Sequence, residues 1–81
     1  MTEPGFGAEP RLSMKWTDAE AIGMALSEKF PEVDPLTIRF TDLRARVVAL
    51  DGFDDDPQRS NEPKLEAIQM AWYDEWKDSH Q

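Results

Sequence analysis

With 81 residues, 32% of them charged, and a net charge of −8, the chain has room for one small domain with a negative field. That field excludes nucleic acid and anionic membrane surfaces, which are bound through positive side chains, and favours a basic protein or a cation. The absence of cysteine excludes disulfides, thiolate metal sites and cysteine nucleophiles.

Residues 1–13, "MTEPGFGAEPRLS", hold Pro4, Gly5, Gly7 and Pro10 with little apolar content. They read as a disordered N-terminal extension preceding a domain of residues 14–81. They have neither the basic start nor the apolar centre of a signal peptide, and no run in the chain approaches the about 20 apolar residues that span a bilayer. The expected location is the cytoplasm.

The first helix is expected in "WTDAEAIGMALSEKF". Thr17 and Glu20 have the spacing of a capping box, and Trp16 before them is placed to staple onto Ala21. Ile22, Leu26 and Phe30 recur every four residues and make an apolar stripe. Gly23 costs about 1 kcal/mol against alanine inside a helix, which points to a close contact with another backbone. Pro31 ends the helix, because the residue before proline is pushed out of the helical region.

Asp34 and Pro35 form an N-cap and first-position pair with room for about one turn. Ile38 and Phe40 alternate around Arg39 as a brief extended piece. A second helix is expected from Thr41 and Asp42 through "DLRARVVAL", with Leu43, Val47 and Leu50 inward. Arg39, Arg44 and Arg46 make a small basic cluster, expected to pair with nearby carboxylates on the surface.

Asp51 to Arg59 reads as a loop of turn formers in which Phe53 is the apolar plug. Ser60 or Asn61 caps the last helix, with Glu62 and Pro63 in its first turn. That helix is expected to reach about Lys77, with Leu65, Ile68 and Trp72 on its apolar face. Trp16 and Trp72 are expected core residues, while for Trp76, near the helix end, two readings stay open: a place on the same apolar face and an exposed one. The fold class is mainly α, a small three-helix domain.

Little of this supports catalysis. His80 is the sole histidine and sits in the C-terminal tail, the serines have no basic partner, and no Gly-rich phosphate loop occurs. The chain is expected not to be an enzyme. DNA binding by the arginines of the second helix is opposed by the field of the whole domain.

The acidic loop is the unusual feature, since four of the six residues Asp51–Asp56 are aspartates. Glu62 stands twelfth from Asp51, as a calcium loop requires, but Phe53 occupies the third position and Asp56 the sixth, where an oxygen ligand and a glycine belong. A looser, water-rich site for a hard cation on Asp54, Asp55 and Asp56 remains open. So does docking on a basic protein, because like charges about 6 Å apart in water repel by roughly 0.7 kcal/mol and a positive surface converts that cost into attraction. Turn and capping chemistry with solvated charge is the third reading.

Three blocks carry a resemblance: "KWTD" at Lys15–Asp18, "DPLTIRFTDL" at Asp34–Leu43 and "FDDDPQRSNEPKLEAI" at Phe53–Ile68. In this order and spacing they resemble the IscX family, small acidic proteins of bacterial iron–sulfur cluster assembly. The resemblance implies a modified winged helix with no activity of its own. It implies a monomer that binds the cysteine desulfurase of the pathway through an acidic face and regulates it, competing there with a frataxin-like protein. It also implies weak iron binding, with no tightly held cofactor; an iron carrier donating to the assembly machinery is the alternative role. Carried over, Asp54, Asp55 and Asp56 become the first candidates for partner contact and for iron. Asp34, Asp42, Asp51 and Glu62 become neighbouring candidates for partner contact. Gly52 departs from the pattern, standing where the family carries an acid and leaving the loop one charge poorer.

Overall fold

A computed structural model describes residues 13–79. The expected extension therefore lies outside the described residues except for Ser13, as does His80. The domain is mainly α: α1 (Ala19–Lys29), α2 (Phe40–Val48) and α3 (Glu62–Ser79), with 3-10 turns at Pro35–Thr37 and Pro57–Arg59. Among the described residues no strand forms, and the extended contact is one isolated parallel bridge, Met14 to Phe53.

The start of α1 differs from expectation. Its N-cap is Asp18, with no side-chain cap bond. The Asp18 carboxylate turns backwards and accepts the Lys15 N–H at 2.8 Å, so the Thr17–Glu20 box does not form. Trp16 does not staple onto Ala21, which is exposed; its indole is drawn to the acidic loop, where it finds a polar partner. The other end follows the sequence reading, with Phe30 as C-cap donating its N–H to the Leu26 carbonyl at 2.8 Å just before Pro31.

Ile22 and Leu26 on α1 face Ile68 and Trp72 on α3 in one core with Leu43, Val47, Leu50 and Leu65. Gly23 lies where α1 and α3 approach closest. A Cβ there would come within 2.8 Å of the Ala71 carbonyl carbon and of the Trp72 nitrogen, inside contact distance. Glycine is thus required by the helix crossing, as its position mid-helix suggests.

Asp34 caps the first 3-10 turn, accepting the Leu36 N–H at 3.0 Å. The buried Pro35 gives its carbonyl to the Gln69 side-chain amide at 2.9 Å, which ties this turn to α3. Chain from Ile38 to Arg39 is extended. The second helix begins at Phe40, ahead of the expected Thr41–Asp42 start, because the Arg39 carbonyl already accepts the Leu43 N–H at 2.8 Å. The basic cluster does not pair as expected: among the described residues Arg39, Arg44 and Arg46 make no ion pair. Arg46 instead lies over the Phe30 ring, 4.5 Å from its centroid.

Asn61 caps α3 through Lys64 N–H at 3.0 Å. Leu65, Ile68 and Trp72 form its buried stripe. Of the two readings of Trp76, the apolar face is the one that forms: it is partly buried against the core, one turn beyond Trp72 on the same stripe. Among the described residues no helix is long and apolar enough to cross a membrane.

Candidate functional site

The acidic loop is held by three successive residues from the opposite end of the sequence. Met14 donates its N–H to the Gly52 carbonyl at 2.8 Å and accepts the Asp54 N–H at 2.9 Å. The Lys15 ammonium donates to the Asp54 carbonyl and sits 3.5 Å from its carboxylate. Trp16 donates its backbone N–H to the Asp55 carboxylate at 3.0 Å and its indole N–H to the Asp56 carbonyl at 2.7 Å. The Phe53 ring closes the contact, meeting the Trp16 ring edge-on at a centroid distance of 4.8 Å. Phe53 therefore plugs against Trp16, as its isolated apolar character suggests.

Gly52 makes the turn that starts this arrangement. Its φ of 88° lies in the left-handed region, and it is the one described residue with such a value. A side chain with a Cβ is disfavoured at such a φ, so glycine has a backbone reason here.

The three consecutive aspartates have three different roles. Asp54 points outward, with its side chain 72% exposed. Asp55 is half-buried and spends both oxygens on backbone, one on Trp16 and the other on its neighbour Asp56 N–H at 2.7 Å. Asp56 caps the second 3-10 turn by accepting the Gln58 N–H at 2.9 Å. The carboxylate of Asp55 is held below the usual range, chiefly by the Trp16 N–H bond and then by the Asp56 N–H bond. Partial desolvation opposes this, and the charges of Lys15 and Arg59 add to it.

The remaining candidates sit on separate elements. Asp51 is exposed and lines a shallow open depression with Ala25, Glu28, Lys29 and Leu50. Asp34 is occupied in capping its turn. Asp42 and Glu62 are exposed in the first turns of α2 and α3, where negative charge favours the helix. Among the described residues no three His, Cys, Asp or Glu side chains converge to hold a metal ion. Asp55 and Asp56 are turned onto backbone donors, which leaves Asp54 as the outward carboxylate of the three.

Lys15 and Trp16 are the residues that sequence reading left out of the site. The contacts of Trp16 span 39 and 40 residues, so no local pattern reveals them. The signal available was indirect, the occurrence of "KWTD" and "FDDD" in one resemblance.

The family described as iron-sulphur cluster assembly matches residues 14–77. A protein of Pseudomonas aeruginosa described as uncharacterized protein PA3808 is 56% identical over 64 residues, spanning 79% of this chain and 97% of that protein.

Proposed function

The chain belongs to the IscX family of iron–sulphur cluster assembly proteins, and from that premise we propose that it is a non-enzymatic regulator that docks its acidic lobe on the pathway's cysteine desulfurase. The observation that carries this reading is the division of labour in the lobe. Asp55 and Asp56 are turned onto the backbone, so a rigid turn presents Asp54 outward, with Asp51 exposed at its start. Uncompensated like charge held in a fixed shape favours a basic surface, steers the encounter, and weakens as salt screens it. Lys15 neutralises only part of this charge, because its ion pair with Asp54 is exposed on both sides. Cytoplasmic location, a monomeric state and competition with a frataxin-like protein for the same basic patch belong to this reading.

Iron enters as cargo rather than as a resident group. The exposed Asp54 carboxylate supplies hard oxygen donors to a largely hydrated ion, which suits weak, exchangeable binding.

Titration of purified desulfurase with the protein at two salt concentrations tests the docking. Binding at low salt that weakens at high salt is expected. No binding at low salt, or binding indifferent to salt, removes the reading.

A further inference from the structure

Resting on the docking reading above, we propose that Trp16 is the positioning residue of the acidic lobe. Its indole N–H on the Asp56 carbonyl and its backbone N–H on the Asp55 carboxylate hold the lobe in one shape, so that Asp54 meets a basic partner already arranged.

Trp16 is 1% exposed, so a docked protein does not touch it. Any effect of Trp16 on docking must pass through what the side chain holds. It holds two successive residues of the lobe, and its ring packs on a third, Phe53. The 3-10 turn after Asp56 has no buried residue of its own, so its place is set by its ends. Without the Trp16 bond the Asp56 carbonyl is freed, and the lobe gains conformations that docking must then remove. Trp16 carries no charge, so its loss changes the shape of the field and leaves its total unaltered.

The domain contains a matched control. Trp72 is equally buried, but among the described residues its indole N–H has no hydrogen-bond partner, and its ring meets Phe30 rather than the lobe. Trp16→Phe and Trp72→Phe remove the same atoms from two buried sites, and only the first removes a bond to the lobe.

Desulfurase affinity of both variants, measured well below their melting temperatures, tests the proposal. Trp16→Phe is expected to bind about three- to tenfold more weakly with an unchanged salt dependence. Trp72→Phe is expected to keep wild-type affinity while losing comparable thermal stability. Equal affinity of Trp16→Phe and wild type overturns the proposal, as does an equal loss in both variants. Should Trp16→Phe fail to fold, replacing Trp16 by benzothienylalanine puts sulfur in place of the N–H at nearly constant volume, and the same threefold or larger loss is expected. If the wild-type protein itself does not bind, the docking reading fails. The order of the Asp54–Asp56 backbone by 15N relaxation then decides the positioning claim, and an unchanged order in the Trp16 variant overturns it.

Discussion

The indole N–H of Trp16 donates to the carbonyl of Asp56 at 2.7 Å across 40 residues of sequence. The bond joins the segment before the first helix to the loop before the last. It turns a run of aspartates into a shaped surface, and this makes the roles of individual carboxylates separable by experiment.

Asp51→Asn with Asp54→Asn removes outward charge without touching a capping bond. Desulfurase affinity at low salt should fall about tenfold, chiefly through a slower association rate, and the salt dependence should flatten. Thermal stability should stay within about 0.5 kcal/mol of wild type, because both side chains are exposed. Stopped-flow binding and thermal melts check both halves.

Asp55→Asn should change how stability depends on pH. Folding depresses this carboxylate, so in acid the unfolded chain binds the proton more readily than the folded one. The stabilisation is complete above the unfolded value of 3.8 and is lost as pH falls through the lower folded value. Melts of the wild type should therefore lose this contribution on acidification below about pH 4, and the Asn variant should show a shallower acid limb.

Gly23→Ala should destabilise the domain despite the better helix propensity of alanine. The propensity gain is about 1 kcal/mol. Against it, the new methyl falls 2.8 Å from the α3 backbone at Ala71 and Trp72, and neither is the end of a flexible side chain. Prising the helices apart typically costs about 1–3 kcal/mol, so a net loss of up to about 2 kcal/mol in urea unfolding is expected.

Gly52→Ala should cost about 1–2 kcal/mol, because a φ of 88° sets the new Cβ against the following carbonyl. The same variant should loosen the Met14 to Gly52 bond, seen as faster exchange of the Met14 amide.

Ferrous iron under anaerobic conditions should move the melting temperature by less than about 2 °C, since no three described carboxylates converge on one point. A preformed cage at a hundred times its Kd would add about 2.7 kcal/mol and a much larger shift. Differential scanning fluorimetry with and without iron distinguishes the two.

Local chemistry was legible along most of the chain. The Asp34–Pro35 turn, the end of α1 before Pro31, the Asn61 cap and the Leu65, Ile68 and Trp72 stripe each depend on residues a few positions apart. The start of α1 misled, because Thr17 and Glu20 fit a capping box while Asp18 was already engaged with Lys15. The start of α2 lay ahead of its best capping residues, because the extended Arg39 supplies the first helical acceptor through its backbone, which any residue can do.

By itself, the sequence determined the helices, the buried stripes, the excess of negative charge and its concentration in one loop, since each follows from near neighbours or from composition. Only the tertiary structure decided that Asp55 faces the backbone, that Asp54 faces outward, and that Trp16 belongs to the lobe rather than to a helix staple. The physical reason is that a carboxylate takes its role from the nearest unsatisfied donor. Here that donor is the N–H of Trp16, 39 residues away along the chain and 3.0 Å away in space.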